Sequence, residues 1–223
     1  MAYQMIHLEI AYRLLERMNL KDARKEFILG SIAPDSVHFR KPYRVEDKIH
    51  THFFEGCGQW GNPDDYELWI ENMKAFWNKY GSNENDVKMR MFILGIYVHG
   101  LTDYYNDVLV WREVLNKYVP PMTGDEFRNS FYSEAQLIDK WLFQNSENTD
   151  EICKLLIAAD EIDLDDYIYA DDLKRMKKHL LENQYNLSEG IDISNYKYYT
   201  LGILKDFIKV VTDKVFEIIC SEV

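Results

Sequence analysis

His99 and Asp103 stand four residues apart in the stretch Phe92 to Trp111, FILGIYVHGLTDYYNDVLVW. On a helix that spacing points both side chains at one place. The residues just before them, Phe92 to Val98, are all apolar or small, so the helix face that carries the pair is expected to be buried. A buried imidazole and carboxylate need partners, because each loses its water. Asp107 follows one further turn along and would set imidazole, carboxylate and carboxylate in a row. The chemistry such a row suits is ligation of a divalent metal, which asks for deprotonated nitrogen and oxygen donors that converge.

Other potential ligands lie well before this helix. They are His7, Asp35 and either His50 or His52, with the choice between the last two left open. Each has an ordinary reading when taken alone. A lone histidine on an apolar face is more often a hydrogen-bonded core group than a ligand. Asp35 follows Pro34 and can be read as a residue that only ends a helix, and His99 with Asp103 can be read as an intrahelical hydrogen bond.

The elements that must position these groups read as helices nearly throughout. Ile6, Ile10, Leu14 and Met18 recur at helical spacing through Tyr3 to Met18, and His7 shares the face of Ala11 and Leu14. A second helix over about 22–32 must stop before Pro34, since the residue preceding proline is pushed out of the α region. From Ser36 to Gly61 no period shows, and a loop that long in a compact domain is uncommon unless it has a task. That segment holds His38, His50 and His52 together with the basic residues Arg40, Lys41, Arg44 and Lys48. Asn62-Pro63-Asp64-Asp65 has the residue types of a helix start leading into Tyr66 to Tyr80. The central helix is expected over about 86–118, ending at Pro120-Pro121. Thr123-Gly-Asp-Glu126 is a capping-box pattern that opens a helix to about Gln144. Three more follow over about 148–159, 171–183 and 196–220, the last with Leu201, Leu204, Phe207, Ile208, Val211 and Val215 on one stripe. No alternating run is long enough to be read as a strand, and no internal repeat shows. The expected fold is all-α, a single domain over 1–223.

Charge and composition narrow the classes further. With 26 Lys and Arg against 38 Asp and Glu, the formal net charge is -12, which argues against a large nucleic-acid-binding surface while allowing a local basic patch to meet one phosphate. Three cysteines, Cys57, Cys153 and Cys220, are too few and too far apart for a disulfide framework or a thiolate zinc site. A reducing, cytoplasmic setting fits them. Glu9 and Arg13 interrupt any signal-peptide core, and the run Met91 to Val98 is too short to span a bilayer. Gly56-Cys-Gly58-Gln-Trp-Gly61 matches G-x-G-x-x-G in letters, but no strand–helix context surrounds it, so it is read as a flexible loop. The acidic run 160–172 lacks the glycine and the closing glutamate of an EF-hand and is read as a solvated turn. A helical metal phosphohydrolase of the HD type is a further reading, but it needs an adjacent His-Asp pair, and none of the six histidines is followed by aspartate.

Four stretches in one order carry a resemblance. They are His7-Leu-Glu-Ile-Ala-Tyr-Arg-Leu-Leu-Glu16, Leu29-Gly-Ser-Ile-Ala-Pro-Asp35, Thr51-His52-Phe53 and Phe92-Ile-Leu-Gly-Ile-Tyr-Val-His99-Gly-Leu-Thr-Asp103. Over about the first half of the chain the sequence resembles the zinc-dependent phospholipase C superfamily, which also contains single-strand nucleases and the amino-terminal domain of glycosylphosphatidylinositol-specific phospholipase D. The resemblance implies a multi-helix bundle with a buried metal site. His52, His99, Asp103 and Asp35 would surround one zinc, and His7 with a bridging Asp103 would hold a second. Asp35 would double as general base, and Asp107 is a further candidate ligand. Manganese or iron would suit the same donors.

The chain also departs from that pattern. Family phospholipases use the amino group and carbonyl of a processed amino-terminal tryptophan, whereas here His7 follows Met1 at short range. No histidine lies between His99 and His179, and Asp107 stands where the glycosylphosphatidylinositol-cleaving relatives place a histidine, so one or two ions are expected. The implied activity is phosphodiester hydrolysis by a metal-held hydroxide, on a small molecule or a lipid head group. The competing class is a non-catalytic helical binding or scaffold protein that keeps part of the metal site.

Overall fold

A computed structural model describes residues 2–186 and 190–222. Among these the fold is all-α apart from one hairpin of two-residue strands and an isolated bridge between Leu164 and Ile168. The helices are α1 Gln4–Arg17, α2 Arg24–Gly30, α3 Val45–Thr51, α4 Tyr66–Phe76, α5 Val87–Asn106, α6 Arg112–Tyr118, α7 Gly124–Asn145, α8 Thr149–Ala158, α9 Ala170–His179 and α10 Leu201–Glu222. Three of them run on through a turn of π-helix, so α5 continues through Asp107–Trp111 directly into α6, as one long central helix. No described helix is long and apolar enough to cross a membrane.

The central helix is buried on all sides over most of its first four turns. Phe92 through Asp103 have almost no exposed surface, and α1, α2, α4 and α10 pack around them. Asp86 starts α5 by accepting from the amides of Lys88 and Met89. The closest packing is against α2, where Gly30 and Gly95 meet with nothing between them. A Cβ on Gly95 would lie 2.4 Å from the Phe27 carbonyl oxygen and 2.8 Å from Gly30 Cα, and a Cβ on Gly30 would lie 2.1 Å from the Phe92 carbonyl oxygen. Only two glycines let these backbones touch, and the approach decides what lies one turn further along each helix.

The segment expected to be an irregular loop, Ser36 to Gly61, is largely ordered. A 3-10 helix covers Ala33–Phe39 and α3 covers Val45–Thr51. No periodicity announced α3, because it is two turns long and lacks both a capping side chain and a terminal glycine. It ends in a Schellman motif, with the Phe53 amide bonded to the His50 carbonyl (3.1 Å) and the Phe54 amide to the Ile49 carbonyl (2.9 Å). Phe53 takes the left-handed position at φ +60 that glycine usually fills. The conformation costs about 1–2 kcal/mol, while burying the Phe53 ring recovers roughly 1.5–3 kcal/mol. The ring packs beside Phe76 and against Gly100, where any Cβ would sit 2.8 Å from it.

Other expectations are corrected here. Asn62-Pro63 is not a helix start: it is the second strand of the hairpin, paired with Gly58–Gln59, and Asp65 caps α4 by accepting from the Leu68 amide at 2.9 Å. The G-x-G-x-x-G letters belong to that hairpin, with Gly56, Gly58 and Gly61 all at positive φ. The last helix begins at Leu201, the first residue of its apolar stripe and five residues later than the expected start at 196. The acidic run is not wholly solvated, because Asp172 is buried between Arg40 (3.1 Å) and Arg175 (2.5 Å). The capping box at Thr123 and Glu126 is present as expected.

Candidate metal centre

Four elements deliver five side chains to one buried place. α1 supplies His7, the 3-10 turn supplies Asp35, the end of α3 supplies His52, and α5 supplies His99 and Asp103. All five are at most 7% exposed. Two sets have ligand atoms within 4.8 Å of one another: His7, His99 and Asp103, and Asp35, His52 and His99.

Main-chain carbonyls determine which nitrogen of two imidazoles faces inward. A carbonyl can only accept, so His99 Nδ1 donates to the Ser31 carbonyl (2.9 Å) and His52 Nδ1 donates to the Lys48 carbonyl (3.0 Å). Their Nε2 atoms then present lone pairs to the cluster. The Ser31 carbonyl is in range because Gly30 and Gly95 bring α2 onto α5, and His99 is one turn beyond Gly95. Trp69 Nε1 donates to the His52 carbonyl (3.0 Å), which steadies the residue from the other side.

The facing atoms are the unusual part. His52 Nε2 lies 3.3 Å from Asp35 Oδ1, His99 Nε2 lies 3.4 Å from Asp103 Oδ2, and His7 Nε2 lies 3.4 Å from Asp103 Oδ1. His7 and His99 are stacked, ring centroids 3.9 Å apart and 9° from parallel. Both nitrogens of His7, Nε2 of His99 and Oδ2 of Asp103 are buried with no hydrogen-bond partner. Lone pair turned to carboxylate is repulsive unless a cation lies between them. Two ligands held 2.0–2.1 Å from one tetrahedral ion stand about 3.3 Å apart, so the spacing of these donors fits a zinc ion.

Protons satisfy only part of this arrangement. Burial pushes His52 down to about 4, although the neighbouring Asp35 carboxylate pulls the other way. Burial and the neighbouring His99 also lower His7, which leaves both rings neutral near pH 7. Burial acts against His99 as well, but the Asp103 charge outweighs it and raises that ring above its ordinary value. The two carboxylates titrate below their usual range although burial opposes ionisation, Asp35 through His52 and His99, Asp103 through His99 and His7. The cluster therefore carries negative charge on two buried carboxylates, which a divalent ion would offset.

The remaining sequence candidates lie elsewhere. His50 turns outward, with Nδ1 2.5 Å from Glu55 and Nε2 3.5 Å from Asp166, so His52 is the histidine of its segment that joins the cluster. Asp107 is on the next turn of the helix but accepts from Tyr66 Oη (2.6 Å) and pairs with Arg112 (3.4 Å), apart from both ligand sets. It lines a cavity of about 100 Å³ walled by Trp60, Trp69, Trp111 and Tyr132. Two contacts went unread in the sequence. The Ala2 amide donates to Asp103 Oδ1 (2.9 Å) and Gln4 Nε2 donates to Asp35 Oδ2 (3.3 Å), so the start of the chain closes one side of the cluster. No spacing rule foretells either contact. A glycine inside the apolar run before His99 was the one available sign of close backbone approach.

A family model described as zinc dependent phospholipase C matches residues 6–105. No curated protein and no solved structure matches the chain. Residues 6–105, which contain every member of the buried cluster, are thus similar to the zinc-dependent phospholipase C family.

Proposed function

We propose that this protein is a metal-dependent phosphoesterase, with one or two zinc ions as its cofactor, that hydrolyses a phosphodiester in a small molecule or a lipid head group. The carrying observation is the set of buried nitrogens without partners, with His99 Nε2 facing Asp103 Oδ2 and His7 Nε2 facing Asp103 Oδ1, each at 3.4 Å, a distance that suits a cation between them. A divalent ion at such donors lowers the pKa of water and neutralises charge growing on phosphoryl oxygens. His52, His99, Asp35 and Asp103 would hold one ion. His7 and the Oδ1 side of Asp103 would hold another.

The side chains divide the remaining work. Asp35 is the most exposed member of the cluster and so the one nearest an entering substrate. Its low pKa keeps it ionised but makes it a weak base, so we assign it to orienting the attacking water more than to keeping its proton. The burial of the other four excludes bulk water and strengthens every charge interaction within the site. We read the whole chain as a single helical domain, and its free thiols as suited to a reducing, cytoplasmic setting.

Metal analysis of protein purified without added metal or chelator, together with hydrolysis of an activated phosphodiester, tests the reading. His99→Ala and Asp103→Ala are expected to lose both zinc and turnover. Full activity in either variant would overturn the site assignment. A second reading, a scaffold protein that keeps zinc without catalysis, is favoured by one observation. Asp107, at the family's further ligand position, is engaged by Tyr66 and Arg112. Bound zinc with no turnover on any phosphodiester would select it.

A further inference from the structure

In a chain of net charge -12, two of the basic residues near the cluster are held by carboxylates, and among the described residues Lys48 is not. Arg40 is held by Asp172 and Arg44 by Asp47. Lys48 pairs with an imidazole instead: its Nζ lies 2.9 Å from His38 Nε2 and 4.9 Å from the centroid of the Trp60 ring. Both partners lead back to the metal cluster. His38 Nε2 is 3.8 Å from Asp35 Oδ1, and the Trp60 ring stands edge-on to His52, centroids 5.3 Å apart. His38 has 41% of its side chain exposed, so these residues form a rim between the buried donors and solvent on the Asp35 side.

We propose that Lys48, steadied by His38 and Trp60, is a substrate-positioning residue that receives a non-bridging phosphoryl oxygen at the mouth of the cluster. The inference rests on the phosphoesterase reading and adds the residue that draws the anion in. An ammonium has three donors. His38 takes one and the Trp60 face attracts the charge without accepting a strong hydrogen bond, so donor capacity is left for an incoming anion. A lysine serves phosphate as a mobile point charge, and on an acidic protein one such cation beside the entry decides whether an anion is admitted or repelled. The residue is also tied to the cluster by its main chain, since the Lys48 carbonyl holds His52 Nδ1. Replacing the side chain leaves that bond in place.

The experiment compares Lys48→Met with Lys41→Met, an exposed lysine of the same segment. Zinc content, calorimetric titration with inorganic phosphate, and kcat and KM on an activated phosphodiester are measured for each. Both variants are expected to keep the wild-type zinc content. Lys48→Met is expected to weaken phosphate binding roughly tenfold and to raise KM more than it lowers kcat, while Lys41→Met stays within about twofold. Phosphate binding unchanged in Lys48→Met, or weakened equally in Lys41→Met, would overturn the proposal. If the wild type takes up zinc but binds no phosphate, the rim assignment falls and the metal reading stands. If it takes up no zinc, the metal reading falls, and the same phosphate titration still decides the rim: binding that depends on Lys48 supports it, and its absence overturns it.

Discussion

His7 lies flat against His99, with neither nitrogen of His7 hydrogen-bonded and its Nε2 turned to Asp103. A ring placed this way contributes apolar contact and little else unless a cation is bound. His7→Phe keeps the stack and removes two buried polar atoms that each cost about 1–3 kcal/mol when unsatisfied. In the presence of chelator the variant is therefore expected to melt at or above the wild-type temperature. Zinc content should fall by one ion where the wild type holds two, with phosphodiesterase activity reduced at least tenfold. A variant that loses stability in chelator and keeps its zinc would show that His7 is a core residue.

Gly95→Ala tests the close approach of α2 and α5. The new Cβ would meet the Phe27 carbonyl oxygen at 2.4 Å, and main-chain atoms cannot rotate away. Separating the helices is expected to cost about 1–3 kcal/mol or more. It should also weaken zinc binding, because the Ser31 carbonyl moves away from His99 Nδ1. Gly202→Ala is the control. A Cβ there meets only Thr200 Oγ1 at 3.6 Å, and an alanine in a helix is favoured by roughly 0.5–1 kcal/mol. Denaturant melts and zinc competition on both variants check the pair, and equal stability in the two would contradict the packing argument.

Only one of the two nearby histidines should matter to the metal. His52→Ala removes a proposed ligand whose ring is already oriented by the Lys48 carbonyl, and zinc affinity is expected to drop by at least about tenfold to a hundredfold. His50→Ala removes contacts to Glu55 and Asp166 at the surface, and zinc content should not change. Metal analysis after dialysis distinguishes them, and loss of zinc from His50→Ala would reverse the assignment.

Asp139 gives the fold a pH signature. This buried residue of α7 accepts from the Ile6 amide (3.1 Å) and Tyr185 Oη (2.7 Å), so it holds the first turn of the helix that carries His7. Burial raises its pKa from 3.8 to about 7, against the pull of those two donors. The unfolded chain loses this proton near pH 4 and the folded chain near pH 7, so stability from this group is present below about pH 4 and is lost as pH rises to about 7. The loss amounts to a few kcal/mol, at about 1.4 kcal/mol per unit. Asp139→Asn is expected to be less stable than wild type near pH 4.5 and equal or more stable near pH 8. A stability difference that does not change with pH would contradict the burial argument.

Much of the helical structure was legible in the pattern of side chains alone. The 3.6-residue period placed the major helices. The four-residue spacing of His99 and Asp103 inside an apolar run announced a buried donor pair, and these are local properties that side chains impose on their own backbone. α3 was missed because two turns contain too little period to read and because Phe53 stands where a stop glycine would have signalled an end. The hairpin at Asn62-Pro63 was missed because two-residue strands have no alternation.

What the residues themselves determined is therefore the helix content, the buried donor pair on the central helix and the order of the family's motifs. The tertiary structure alone decided that His52 and not His50 turns inward, that Asp107 is engaged by Tyr66 and Arg112, and that Lys48 lies between His38 and Trp60. Those outcomes depend on contacts that no helical period relates, such as His38 with Lys48, Asp35 with His52 and Tyr66 with Asp107. Ser31 reaches His99 only because two glycines let α2 lie on α5, and a meeting of distant backbones leaves no period in the chain that forms it.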